Sequence, residues 1–389
     1  MKKKILFLIH TLGGGGAEKV LANLVNNMDK NLYDVTLMTV IDTGVFKKDV
    51  SQDVTYKTMV PLPSKNGRIN DSGSLLKKKS KLSGKLIKIY TAFWRYMPIK
   101  WVYRIFIKEK YDIEVAFLEG ICAKIIANST NKNSKKISWI HVDLENQHKS
   151  GKIFKSLKEE EQIYNKFDDI VCVSQYVKTQ FQKMFTVHGN IVVRYNPVDV
   201  QEIIQKSSKP MDEKNLRRKF TVCSVGRLNA QKSYIRLLEC HKRLMEEGND
   251  YDLWIIGEGT DRENLAAYIE KNNLNDSVKL LGFKINPYCY MKNADLFVCS
   301  SIAEGFSTVA TEALVLGLPV VTTDCSGMQE LLGDSEYGII TENSVDGLYE
   351  GMKRILQDQE LYAEYKVKAQ MRTQIFDMEN SINEIQCLF

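Results

Sequence analysis

Several kinds of feature are scarce or missing in this chain, and each absence removes a class of protein. Its eight cysteines include no C-x-x-C pair, and Cys172, Cys223 and Cys299 each follow a valine inside an apolar run. Thiols placed this way pack as small hydrophobes and stay reduced, so the pattern excludes a disulfide framework and a cysteine-built metal site and points to a cytoplasmic protein. No window approaches the roughly 18 apolar residues of a membrane-crossing helix. The first apolar run, Ile5–Ile9, is shorter than the roughly seven to fifteen residues of a secretory signal, and glycines follow it in place of a cleavage site. It reads as a buried first strand. Repeats at solenoid spacing and low-complexity tracts are missing as well, and no nucleic-acid-binding motif accompanies the basic residues, so no nucleic-acid partner is expected.

What is present is an ordinary globular composition, 44% hydrophobic and 26% charged over 389 residues, long enough for two domains. The charge is shared unevenly. Residues 1–197 carry 33 Lys and Arg against 18 Asp and Glu, whereas residues 198–389 carry 21 against 30. The first half would be drawn to an anionic partner and the second would not.

Short apolar runs alternate with helical stretches, the pattern of parallel sheets joined by right-handed crossovers. Strands are expected at Ile5–Ile9, Val35–Val40, Ile113–Leu118, Ile137–Val142 and Ile170–Ser174, then at Val222–Val225, Leu253–Ile256, Val278–Leu281, Leu296–Cys299 and Pro319–Thr322. Each half therefore reads as a doubly wound α/β domain. The join is expected near Asn196-Pro197, which breaks a helix, giving domains over 1–197 and 198–370. Residues 371–389 read as a helical tail that crosses back to the first domain. Upstream of it, Leu348, Met352, Ile355, Leu356, Tyr362 and Tyr365 recur at helical spacing.

The most basic window is 75–110, where Lys77, Lys78, Lys79, Lys81, Lys85, Lys88, Arg95, Lys100, Arg104, Lys108 and Lys110 face Glu109 alone. On a helix, Leu82, Leu86, Ile89, Phe93 and Tyr96 form one stripe with Lys81, Lys85, Lys88 and Arg95 beside it. With Trp94 and Trp101 nearby, this suits an anionic membrane surface; the other reading is a helix packed on the sheet with a solvated lysine face.

Four motifs carry chemistry. Arg227 follows Val225-Gly226 at a strand end and Lys232 lies five residues on. A guanidinium grips two phosphate oxygens and an ammonium adds a point charge, so together they could neutralise a departing diphosphate. Glu304 and Glu312 flank Gly305, Phe306, Ser307 and Thr308. If the segment were all helix, roughly 12 Å would separate the two carboxylates, beyond the roughly 5–9.5 Å of a glycosidase pair. A helix starting near Ser307 or Thr308 is the better reading, with Glu304 in the preceding loop, Glu312 a turn inside, and free N–H groups facing a phosphate. The run Gly13–Gly16 precedes a helix, but Glu18 stands where a G-x-G-x-x-G turn needs glycine. His141 ends a strand, which favours a site residue over a core histidine. Asp250-Tyr-Asp252 has a metal-binding D-x-D form but precedes a strand, and it reads as a solvated turn.

Taken as a set, Val225-Gly-Arg-Leu with Gln231-Lys232, Gly257-Glu-Gly259, Glu304-Gly-Phe through Glu312-Ala-Leu, and Gly317-Leu-Pro-Val-Val321 resemble the retaining glycosyltransferases of family 4. The resemblance implies a GT-B fold, two Rossmann-like domains facing across a cleft, with a nucleotide-sugar donor held mainly by the second and the acceptor by the first. It implies that Arg227 and Lys232 hold the donor diphosphate, Glu312 the ribose hydroxyls and Glu304 the hydroxyls of the transferred sugar, with Gly305, Phe306, Ser307 and Thr308 in the same donor loop. By the same resemblance His141, Gly15 and Gly16 meet the donor sugar, and no metal or other cofactor is needed. Ser307 in place of the family's more common glycine, and Gly327-Met-Gln-Glu330 in place of its Gly-Gly form, leave the sugar open.

The expected activity is transfer of a hexose or N-acetylhexosamine, from a UDP-sugar by preference, to a lipid-linked or polymeric bacterial surface-glycan acceptor. The expected place is the cytoplasm, at the inner face of the cell membrane where the basic helix binds it. A nucleotide-sugar epimerase, a phosphorylase of the same plan, and a non-catalytic nucleotide-sugar-binding subunit are the competing readings. An epimerase would act without acceptor, a phosphorylase would need a cofactor lysine that cannot be identified, and a sensor would bind donor without releasing nucleotide.

Overall fold

The computed structural model describes residues 2–61, 81–148, 150–213, 216 and 219–389, with no side chain described over 81–87. Contacts divide the chain into two units, Met1–Pro197 with Glu379–Phe389, and Val198–Met378. The second unit thus keeps the chain eight residues beyond the expected limit at 370. Its last long helix, Gln359–Arg372, packs Tyr365 and Ala369 inward, and Arg372 donates to the carbonyls of Leu331 and Glu330, which ties this segment to its own sheet layer.

The first unit is built on a parallel sheet of seven strands: β1 (Lys3–Ile9), β2 (Tyr33–Ile41), β3 (Thr55–Val60), β4 (Ile113–Ala116), β5 (Lys135–Ile140), β6 (Asp169–Cys172) and β7 (Asn190–Val193). Their order is β3-β2-β1-β4-β5-β6-β7. The central strands are buried along nearly their whole length, which is why they read as unbroken apolar runs. The C-terminal helix Met378–Gln386 buries Ile382 and Ile385. Beyond it Phe389 stacks edge-on against Phe7 and Tyr33, and Lys3 and Lys135 donate to the carbonyls of Phe389 and Leu388.

The second unit has six strands, β8 (Phe220–Val225), β9 (Tyr251–Ile256), β10 (Val278–Gly282), β11 (Leu296–Cys299), β12 (Val320–Thr323) and β13 (Ile339–Thr341), in the order β10-β9-β8-β11-β12-β13. All its pairings are parallel. Helices cover both faces and close two apolar cores, one around Trp254, Phe297, Leu314 and Met328, the other around Leu237, Leu253, Val298 and Met352. In both sheets the connections reverse direction beside the first strand, between β1 and β4 and between β8 and β11. That reversal opens a crevice at the strands' carboxyl ends, where such sheets place ligands.

The strands β3, β7 and β13 were not expected, and all three are sheet edges. β3 is interrupted by polar residues, and β7 and β13 are only four and three residues long and mostly half-buried, so none shows the long apolar run of an inner strand.

Candidate active site

In the second unit the crevice is formed by the exits of β8, β9, β11 and β12. Close approach of the first two depends on glycine. Gly257 adopts φ +147°, and a Cβ there would stand 1.9 Å from the Gly226 carbonyl oxygen; one on Gly259 would stand 2.1 Å from that of Leu228. With no side chain in the way, Leu228 N–H donates to Glu258 O and Asp261 N–H to Leu228 O. The Gly257-Glu-Gly259 motif is thus a packing device that holds the Arg227 loop in place.

The loop after β8 is clamped to the loop after β11. Ile302 N–H donates to Gln231 O at 2.8 Å, Gln231 Nε2 to Ala303 O at 3.0 Å, and Ser300 Oγ to Lys232 O at 2.8 Å. The clamp brings Lys232 Nζ to 2.6 Å from Glu304 Oε1, with side chains only 17% and 11% exposed. Ser301 Oγ donates to the same carboxylate oxygen at 2.6 Å. Burial acts to lower the Lys232 pKa, but the Glu304 charge outweighs it and the ammonium is held above its ordinary range. A buried pair of this kind is pre-set: the lysine is charged and aimed, and the carboxylate keeps lone pairs for a second donor.

The helix Thr308–Val315 begins where the capping pattern predicts. Ser307 is its N-cap, with Oγ accepting from Ala310 N–H, while Thr311 Oγ1 donates to Ser307 O at 3.0 Å. Glu304 therefore lies in the loop and Glu312 one turn inside, where the Tyr288 hydroxyl donates to its Oε1 at 2.8 Å. Gly305 and Phe306 connect the two and pack under the turn at Gly327, whose φ of +76° a side chain would strain; a Cβ there would stand 2.7 Å from Gly305 O. Arg227 is exposed beside this group and forms no ion pair among the described residues. The fold thus brings Lys232, Glu304, Ser307 and Glu312 to one crevice and leaves the Arg227 side chain at its solvent side. Asp250 pairs with Lys219 and stays a surface turn residue.

Sequence reasoning did not find Ser301 and Tyr288, which orient the two carboxylates. Serine three residues before Glu304 was a legible hint, but Tyr288 lies outside any motif and reaches Glu312 only through packing.

In the first unit, Gly15 is the N-cap of the helix Gly16–Asn27, with no side chain capping it. Gly44, at φ +136°, lets the loop after β2 close on the loop after β1, and Phe46 N–H donates to Leu12 O. His141, just after β5, is buried against Phe117 with ring centroids 4.8 Å apart. Burial lowers its pKa to about 3, against a smaller opposing effect of the Phe117 backbone, so the ring is neutral at physiological pH. Its Nε2 has no hydrogen-bond partner among the described residues. Glu119, just after β4, accepts from His141 N–H at 3.3 Å and was missed in the sequence; Glu119-Gly120 at a strand end, with Gly120 at φ +75°, was the signal.

Of the basic window, Lys77, Lys78, Lys79 and the side chains of Lys81, Leu82, Lys85 and Leu86 lie outside the described residues. The remainder of the apolar stripe is not packed on the sheet. Ile89, Phe93 and Tyr96 are 56%, 47% and 67% exposed, and Trp101 is 66% exposed on the following helix Ile99–Phe106, while Trp94 is buried. Of the two readings of this helix, the one with its apolar stripe packed on the sheet does not hold for Ile89, Phe93 and Tyr96: Trp94 and the Arg95 contact with Phe154 O anchor the helix, and these three side chains turn outward.

Both halves of the chain are similar to known proteins. Residues 14–202 match the model of Glycosyltransferase Family 4, and residues 203–372 that of Glycosyl transferases group 1. The chain belongs to the family 4 glycosyltransferases. Over 187 residues this glycosyltransferase is 39% identical to the N-acetylgalactosamine-N,N'-diacetylbacillosaminyl-diphospho-undecaprenol 4-alpha-N-acetylgalactosaminyltransferase of Campylobacter jejuni, a match spanning 48% of this chain and 49% of that one. It is 25% identical over 98% of both chains to an uncharacterized glycosyltransferase of Haemophilus influenzae. In fold it is similar to Anabaena Alr3699/HepE, solved in complex with UDP, at a TM-score of 0.73 and 22% identity, covering 99% of this chain and 98% of the other. Both parallel sheets of the glycosyltransferase are thus Rossmann-like units of the GT-B fold.

Proposed function

We propose that this glycosyltransferase moves a hexose or N-acetylhexosamine from a UDP-sugar to a bacterial surface-glycan acceptor, lipid-linked or polymeric, with retention of anomeric configuration. The observation that carries the reading is the Lys232–Glu304 pair at the β8/β11 reversal, beside Arg227 and the capped helix that holds Glu312. UDP is favoured because Anabaena Alr3699/HepE is solved with it. A lipid carrier is favoured because the Campylobacter relative is named for a diphospho-undecaprenol acceptor.

In this reading Arg227 and Lys232 neutralise the donor diphosphate, Glu312 accepts the ribose hydroxyls, and Glu304 accepts from hydroxyls of the sugar. The bond from the anomeric carbon to the phosphate oxygen breaks as the acceptor hydroxyl attacks from the same face. Its proton passes to the departing phosphate oxygen, so UDP and the glycoside leave with charge balanced. The two cations take the part that a metal ion would otherwise play. His141, Gly15 and Gly16 keep the donor-sugar role that the resemblance implies. Lys88, Arg104 and the outward apolar side chains of the first unit give peripheral contact with an anionic membrane, at the cytoplasmic face. Among the described residues no helix is long and apolar enough to cross one.

The test is a panel of nucleotide sugars with a lipid-linked acceptor, following UDP release and the anomeric configuration of the product by NMR. Product of inverted configuration, or sugar conversion with no acceptor present, would overturn the proposal.

A further inference from the structure

The first unit contains a cavity of about 750 Å³ that the reading above does not use. It is lined by four cations from separate segments: Arg95 at the end of the Lys81–Tyr96 helix, Lys124 in the helix Ile121–Ile126, and Lys155 and Lys166 on either side of the helix Leu157–Tyr164. Neither Gly15, Gly16 nor His141 lines it.

The two inner cations are held in place. Lys124, 4% exposed, donates to Ile153 O at 2.9 Å and lies over the Phe154 ring at 5.3 Å; Arg95 Nε donates to Phe154 O at 2.8 Å. One carboxylate, Glu159, lines the same cavity, and it is already engaged by Lys124 at 3.2 Å and by the Lys155 backbone N–H. Lys155 and Lys166 make no ion pair among the described residues. Burial, with repulsion from Lys100, lowers the Lys166 pKa in spite of Glu159, the mark of a cation short of counter-charge.

We infer that this cavity is a binding site for a phosphate group, with the Arg95 guanidinium as its fixed base beside the Lys124–Glu159 pair, and Lys155 and Lys166 supplying donors to the oxygens. With Lys124 and Glu159 paired, the three remaining cations suit a ligand carrying up to two negative charges, and three oxygens can each find a donor. The volume exceeds that of phosphate alone and leaves room for the group that bears it. Such a phosphate comes from a lipid headgroup or from a soluble ester. Tyr96 at the rim is 67% exposed and sits under the Lys155 ammonium at 5.9 Å, a setting that accepts either. The inference stands apart from sugar transfer, and loss of that reading leaves it intact.

The test uses the full chain, its Lys155→Gln/Lys166→Gln double variant, and a charge-matched control, Lys48→Gln/Lys132→Gln, on exposed surface outside both the cavity and the basic window. Two probes are applied: inorganic phosphate by calorimetry, and flotation with phosphatidylglycerol vesicles against phosphatidylcholine alone. The natural chain is expected to bind at least one probe, with a tenfold or greater loss in the cavity variant, near-natural binding in the control and an unchanged melting temperature in both. Binding of phosphate in free solution identifies a soluble ester as the source, and binding of vesicles alone identifies a headgroup. The inference fails if the natural chain binds neither probe, if the cavity variant binds as the natural chain does, or if both variants weaken equally.

Discussion

Removing the ammonium of Lys232 separates a structural from a catalytic role, because its partner cannot be rescued by solvent. In Lys232→Met, Glu304 is left 11% exposed with the Ser301 hydroxyl as its remaining donor among the described residues. At 2.6 Å the attraction lost is about 6 kcal/mol at an effective dielectric of 20, and measured losses on breaking buried pairs run at about 3–5 kcal/mol. Because Ser301 stays, the expected cost is about 3 kcal/mol. Adding Glu304→Gln removes the stranded charge, so the double variant should recover most of that stability. Its transfer activity should not recover, since both groups proposed to meet the donor are then gone. Urea unfolding followed by circular dichroism gives the first result, and UDP release gives the second. A single variant that unfolds at the natural midpoint, or a double variant no more stable than the single, would refute the account of a pre-set buried pair.

Arg227→Ala should change stability by less than about 0.5 kcal/mol, as expected of an exposed residue, yet remove most UDP release; near-normal turnover by the purified variant would end its role in holding the diphosphate. Burial, with the Glu119 charge, raises the Glu160 pKa to about 8, so between the unfolded value near 4.5 and 8 folding takes up a proton and stability falls as pH rises. Glu160→Gln should abolish that decline, on the order of 4 kcal/mol, which urea titrations at pH 5 and pH 8 would show. Gly257→Ala would drive a methyl group into the Gly226 carbonyl, 1.9 Å away, and should cost about 3 kcal/mol; a melting temperature like the natural chain's would count against the packing role of that motif.

The inner strands were legible because a strand buried on both faces must be apolar throughout, as in Leu253–Ile256 and Leu296–Cys299. Edge strands carry no such requirement, so Thr55–Val60 and Ile339–Thr341 left no mark. The start of the helix at Thr308 was legible for a local reason, since a serine followed by an apolar run is a capping signal. Tyr288 was not legible, because its bond to Glu312 depends on how two helices pack. The stripe Ile89, Phe93 and Tyr96 was plain in the sequence, but periodicity says only that a face exists, not which way it turns.

By itself the sequence determined the two α/β sheets, the motif loops at the ends of β8 and β11, and the excess of positive charge in the first half, all of which follow from local patterning and composition. Tertiary structure alone decided that Lys232 spends its charge on Glu304, seventy-two positions away, and that Arg95, Lys124, Lys155 and Lys166 surround one cavity. Both depend on distances between segments far apart in the chain, which close only when the sheets and their covering helices have packed.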